Sequence, residues 1–327
     1  TQPIDRQAVA RGAELFHSIG CVACHSPRNQ TAVETPLADS VPLGDLTQKY
    51  FVEGLVTFLE NPHAVRPSGR MPNMQLTHFE AQDIANFLLQ ASSDPRASWT
   101  VDSALAKTGE KLFAELNCAA CHTDVIDGKP KRAGQGSLAQ LNPDQGCLSG
   151  KRGDWPDFQL SDRNQTLIKA ALKNNASKLT NEQQIAVSLK SFNCIACHDR
   201  GDFGGVTPDR NPHFQTTNLN LGDQGRIPPT LTDVGAKLKP NWMRDVLVNG
   251  RAIRPYMNTR MPQFGEENIG HLIELFQQTD KLPATRFADF DDQKEMRKLG
   301  LTIAGNKGLN CVACHTYQYK LSDTMPA

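Results

Sequence analysis

Four copies of one short pattern constrain this chain more than anything else in it. They are Cys21-Val22-Ala23-Cys24-His25, Cys118-Ala119-Ala120-Cys121-His122, Cys194-Ile195-Ala196-Cys197-His198 and Cys311-Val312-Ala313-Cys314-His315. They take up eight of the 9 cysteines and four of the 9 histidines. A single C-x-x-C could be a zinc half-site or a redox dithiol. A zinc ribbon would need two such pairs close together, and here they are spread over the whole chain. Four repeats that each end in His read instead as attachment sites for c-type haem. Two thiols add across the two vinyl groups of one porphyrin, and a short helical turn sets their separation. The following His is then aimed at the iron.

Composition agrees. Lys+Arg and Asp+Glu are 35 each, for a net charge of zero, and only 39% of residues are hydrophobic. A neutral chain lacks the basic face of a nucleic-acid binder. No stretch approaches the apolar run that a transmembrane helix needs. A chain this poor in apolar residues needs a prosthetic group to fill its cores. Four covalent haem c groups, each with two propionates, would make the loaded protein acidic, so a cationic redox partner is expected. Haem c is attached outside the cytoplasm, so the protein is expected to be periplasmic or extracellular, with a leader peptide already removed. No Walker loop, dinucleotide fingerprint or paired-carboxylate motif appears.

The repeats extend beyond the motifs. An amphipathic helical stretch precedes each one: residues 11–16, 107–113, 184–189 and 295–300. After the first and third motifs the chain follows one plan. A Pro segment comes first (Val41-Pro42-Leu43; Ile227-Pro228-Pro229), then a helix (Tyr50 to Leu59; Trp242 to Val248). A loop then brings Arg70-Met71-Pro72 or Arg260-Met261-Pro262, and a closing helix follows, from about Phe79 to Leu89 or Glu267 to Gln277. Thr77 and Glu80 have the spacing of a capping box at the start of the first closing helix.

This plan resembles the class I cytochrome c fold, in which a small helical bundle wraps one haem between a His and a Met. The segments Gly222-Asp223-Gln224-Gly225-Arg226-Ile227-Pro228-Pro229 and Arg254-Pro255-Tyr256-Met257-Asn258-Thr259-Arg260-Met261-Pro262 are also similar to multidomain haem c proteins common in planctomycete genomes. The resemblance implies an all-α fold of tandem cytochrome c-like domains with long loops, each around one haem. The domains are expected at residues 1–97, 98–181 and 182–287, with 288–327 an incomplete fourth.

Met71 and Met261 stand in matched positions and are the expected sixth ligands of haems 1 and 3. Met74 and Met257 are their local competitors, and Met is also an ordinary core filler. His/Met ligation raises the haem potential. The second repeat departs from the plan: no Met lies between His122 and Cys194, and Trp155 falls where Met71 falls. Haem 2 is therefore five-coordinate or ligated from elsewhere. Cys147 is one candidate, against the reading of a small buried hydrophobe. His213 and His63, both in loops, are others, while His17, His78 and His271 read as packing or surface residues. Too little chain follows His315 to cover haem 4. Three readings stay open: a fragment of a longer protein, a second subunit that supplies ligand and lid, and self-ligation through Met325.

Three functions compete. The first is an electron relay between redox-partner proteins. The second is a haem enzyme that reduces a small molecule, such as peroxide or a nitrogen oxide, at an open haem 2. The third is a homopolymer assembled head to tail through haem 4, which could itself be a relay.

Overall fold

The computed structural model describes residues 5–90, 101–116, 118, 142–151, 158–173, 179–282, 292–313 and 315. The chain forms two compact units. One joins Thr1–Ser92 to Asn181–Ala327, and the other is Ser93–Thr180. The architecture is all-α.

The first unit opens with α1 (Arg6–Ser18). The Asp5 carboxylate caps it by accepting the N–H groups of Gln7 and Ala8, which satisfies two donors that a helix start leaves orphaned. Ala8, Gly12 and Phe16 recur every four residues and form its buried stripe. Then come α2 (Val52–Glu60), the single turn α3 (Pro62–Val65) and α4 (His78–Leu89). The capping box at the start of α4 is present in full: Thr77 and Glu80 each bind the other's backbone. Helices α1 and α4 cross at Gly12. A Cβ there would lie 2.0 Å from the Asp83 carbonyl oxygen, so only glycine allows the approach. Arg11 braces the crossing through its ion pair with Asp83 at 2.7 Å. Phe16, Ile19, Val22, Leu55, Val56, Ile84 and Phe87 form the core beneath.

The second unit contains α5 (Ser103–Glu115), capped by Asp102, and α6 (Asp162–Lys173). The apolar residues Leu105, Leu112 and Leu116 of α5 and its cap are exposed.

The first unit resumes with α7 (Asn181–Ser191) and a hairpin the sequence did not suggest, β1 (Asp199–Arg200) paired with β2 (Phe203–Gly204). After α8 (Val234–Lys237) and α9 (Pro240–Leu247), the expected closing helix appears as two pieces, α10 (Glu266–Ile269) and α11 (His271–Thr279). An i+3 bond from the Ile273 N–H to the Gly270 carbonyl tightens the turn between them. Ile185, Leu189, Met243, Phe264, Leu272 and Phe276 form this second core. Gly235 repeats the device of Gly12, since a Cβ there would lie 2.2 Å from the Phe276 carbonyl. Asp280, at the end of α11, is buried with Arg200 in an ion pair of 2.6 Å and also accepts the Gly235 N–H at 2.7 Å. Helix α12 (Gln293–Ala304) leads to the fourth motif, with Met296, Leu299, Leu301 and Ile303 exposed.

Within this unit the first and third repeats meet. Asn73 and Gln263 stand at the same place after Met71-Pro72 and Met261-Pro262. They pair with each other as an antiparallel bridge, with N–H to carbonyl distances of 2.8 and 3.0 Å. Arg260 adds an ion pair to Glu80 at 2.5 Å, and its N–H donates to the Ile19 carbonyl at 2.9 Å.

Candidate functional site

The first, third and fourth motifs are built alike. Each follows a residue in the left-handed region: Gly20 (φ 120°), Asn193 (φ 54°) and Asn310 (φ 56°). Gly and Asn are the residues that enter this region most readily, and here they stop the preceding helix. One 3-10 turn follows in each case: Cys21–Ala23, Cys194–Ala196 and Cys311–Ala313. The His N–H then donates to the carbonyl of the first cysteine, at 2.9 Å for His25, His198 and His315 alike. In the first and third motifs both thiols and the imidazole are thereby set on one tight turn.

The imidazoles of the first and third repeats are oriented by a second bond. Nδ1–H of His25 donates to the Val41 carbonyl at 2.9 Å, and Nδ1–H of His198 donates to the Pro229 carbonyl at 2.6 Å. These acceptors lie in the Pro segments noted in the sequence. The bond fixes the tautomer and leaves Nε2 with a free lone pair, as metal-ligating histidines require. Burial lowers both imidazole pKa values, which favours the neutral, ligating form.

The thiols of these two motifs are half-buried. Burial, with a smaller push from the charge of Cys24, raises Cys21 and Cys197 to about 12 and Cys194 to about 11. Cys24 is raised as well, chiefly by burial. All the described cysteines are free. Two unoxidised thiols and one neutral, carbonyl-oriented imidazole on a single turn suit covalent haem at the first and third motifs.

The methionines separate by environment. Four residues beyond Met71, Trp155 and Met261 stand Gln75, Gln159 and Gly265, and all three are left-handed, with φ of 53°, 48° and 82°. This shared feature sets the three repeats in register. In that register Met74 corresponds to Phe264, and each is 4% exposed, so Met74 is a core filler. Met257 is engaged in a bridge to Thr216, with an Arg254 nitrogen 4.0 Å from its sulfur. Met71 is partly buried against the first core, and Met261 is partly buried in the matching loop.

The remaining candidates are scattered. His213 stacks on His17 with ring centroids 5.5 Å apart. Both His17 nitrogens are engaged, Nδ1–H donating to the Ala13 carbonyl and Nε2 accepting the Arg28 N–H. His63 lies on α3, and its Nε2 is buried without a hydrogen bond among the described residues. His78 pairs with Glu60 at the surface, and His271 binds Ser188. Cys147 is exposed on a short 3-10 turn. Cys118 and Cys311 are described, whereas Cys121, His122, Trp155, Cys314 and Met325 lie outside the described residues.

Two residues that sequence reasoning missed join the first and third motifs. Asn193 donates its side-chain N–H to Cys24 Sγ at 3.4 Å. Arg210 is 6% exposed and donates to the carbonyl of Val22, inside the first motif, at 3.0 Å. The Gly or Asn before each motif was a legible signal for the turn, though not for the contact.

A family model described as Cytochrome c matches residues 9–92 and 106–189, together just over half of the chain. Comparison with curated proteins and with solved structures finds no match.

Proposed function

Because the chain belongs to the cytochrome c family, whose members hold haem c covalently and transfer electrons, we propose that it is a tetrahaem relay working outside the cytoplasm, in the periplasm or beyond. Each bound haem supplies a one-electron Fe(III)/Fe(II) couple. The chain's residues hold and tune that couple. Cys21 and Cys24, Cys118 and Cys121, Cys194 and Cys197, and Cys311 and Cys314 form the thioether links. His25, His122, His198 and His315 are the proximal ligands, and Met71 and Met261 are the distal ligands of the first and third sites. The proposed domains are 1–97, 98–181 and 182–287, with a partial fourth over 288–327.

The observation that carries this reading is the recurrence of one turn, with one hydrogen-bond pattern, at three of the four motifs. Saturated coordination suits a carrier, because a six-coordinate iron changes oxidation state with little rearrangement. A second reading rests on one specific departure. Trp155 stands in Met71's place, and an indole is no ordinary iron ligand, so the second site would be open to a small molecule.

Intact mass and pyridine haemochrome absorbance on the full chain test the count. Four haems are expected, falling by one when both cysteines of any motif become Ala, and a lower wild-type count would refute the tetrahaem reading. Carbon monoxide binding to the reduced protein tests the second site. Binding that persists in Cys311→Ala/Cys314→Ala and disappears in Cys118→Ala/Cys121→Ala would turn the reading from carrier to enzyme.

A further inference from the structure

We propose that the first and third motifs hold their haems as one coupled pair, so that an electron crosses between these two directly and the order of motifs along the chain is not the order of transfer. The inference rests on the reading above that both motifs are loaded.

The geometry is local. Asn193 immediately precedes Cys194, the first attachment cysteine of the third motif, and its side chain touches Cys24 Sγ at 3.4 Å. In a thioether the sulfur is bonded to a carbon substituent of the porphyrin rim. A haem held by the first motif would therefore be linked through a sulfur that contacts the residue next to the third motif's first attachment cysteine.

The surroundings hold this contact in place. Arg210 belongs to the third repeat, and its guanidinium is spent on the first. It donates to the Val22 carbonyl at 3.0 Å, to Ser40 Oγ at 2.7 Å and to the Ala38 carbonyl at 3.3 Å. A buried cation that satisfies backbone carbonyls of another repeat is costly to leave unpaired, so it fixes the docking. Thr259 Oγ1 donates to the Ser18 carbonyl at 3.3 Å, one turn before the first motif. The Asn73–Gln263 bridge joins equivalent positions, as a local two-fold relation between two like domains would. The contacts thus lie on the motifs themselves and on the two Met loops.

Electron tunnelling falls exponentially with the gap between conjugated edges, so attachment turns in contact favour direct transfer between these two haems. With both haems bound, the transfer would be a one-electron exchange in which one iron is oxidised as the other is reduced. No bond forms or breaks, and no proton moves.

The test uses the full, loaded chain. Coupled haems give a two-signed Soret circular-dichroism couplet. The couplet is expected in wild type, is expected to survive Cys118→Ala/Cys121→Ala, and is expected to disappear in Cys194→Ala/Cys197→Ala. Asn193→Gly keeps the left-handed backbone and removes the amide, and Arg210→Met removes the clamp. Either should diminish the couplet at unchanged haem count and slow electron equilibration after flash reduction, measured in the background lacking the second haem. Two single variants keep the test decisive if one fails to accumulate. Full haem content at motifs 1 and 3 with no couplet would overturn the pair and leave the relay standing. An unloaded motif 1 or 3 would overturn both. A couplet that vanishes with the second motif would assign the coupling elsewhere and overturn this proposal.

Discussion

Replacing Asp280 with Ala is expected to loosen the third repeat far more than removal of a surface charge would. The Asp280 side chain is 3% exposed and that of Arg200 is 14% exposed. Their bonds are 2.6 and 3.3 Å, and Arg200 also lies 5.3 Å from the Phe276 ring. Asp280→Ala leaves this largely buried guanidinium with only the exposed Glu182 carboxylate, at 3.3 Å, as ionic partner, a change worth up to about 3–5 kcal/mol. It also orphans the Gly235 N–H, which Asp280 accepts at 2.7 Å, and that loss falls within the same range. At about 1.4 kcal/mol per tenfold, amide exchange in α8 and α11 should quicken by roughly two to three and a half powers of ten. Exchange in α4, in the first repeat, is the internal control. The effect reaches the site because Arg200 also donates to the Leu231 carbonyl at 2.9 Å, two residues from the Pro229 carbonyl that orients His198. Asp280→Asn keeps an acceptor for Gly235 and should lose less. Hydrogen exchange followed by mass spectrometry reads all three proteins. Acceleration below about tenfold, the worth of an exposed pair, would refute the reasoning.

Two further outcomes can be checked by chemical unfolding. Gly12→Ala should destabilise by about 1–3 kcal/mol, because the new methyl meets the Asp83 carbonyl and must push α1 off α4. Gly109→Ala, in the matching place of the second repeat, meets nothing within 4 Å and should stabilise by about 0.5–1 kcal/mol. The third outcome concerns pH. The bond from Arg260, with help from Thr77, holds the Glu80 carboxyl below its ordinary value of 4.5. Its contribution is therefore complete above that value and is lost as the pH falls through the lower folded value. In Glu80→Gln the fall in stability over this acid window should be shallower than in wild type.

Local features were legible where a short segment carries its own cause. The motifs, the helices before them and the Thr77 capping box are each decided by residues within a few positions of one another. The Pro segments were visible too, though not the reason for them, which is to present the Val41 and Pro229 carbonyls to two imidazoles. The split of the third closing helix at Gly270 was hidden because its apolar spacing hardly changes across the break. The pairing of the first and third repeats was hidden for a different reason. Asn193 and Arg210 lie in irregular backbone and bind a sulfur and main-chain carbonyls, so no charge or apolar pattern in the partner sequence announces them. His213 shows the same limit: its stacking on His17 depends on a docking that no spacing along the chain encodes.

Arg210 reaches the Val22 carbonyl across 188 positions. In synthesis from the N-terminus, α1 to α4 are all made before that arginine exists. During this interval the turn at Cys21–Ala23 can close on its own local bonds while the Cys24 sulfur still lacks its later neighbour. Once Asn193 and Arg210 dock, the Cys24 sulfur and the Val22 carbonyl gain their partners. A chain cut before residue 193 would thus form the turn at Cys21–Ala23 without the contacts that Asn193 and Arg210 bring to it.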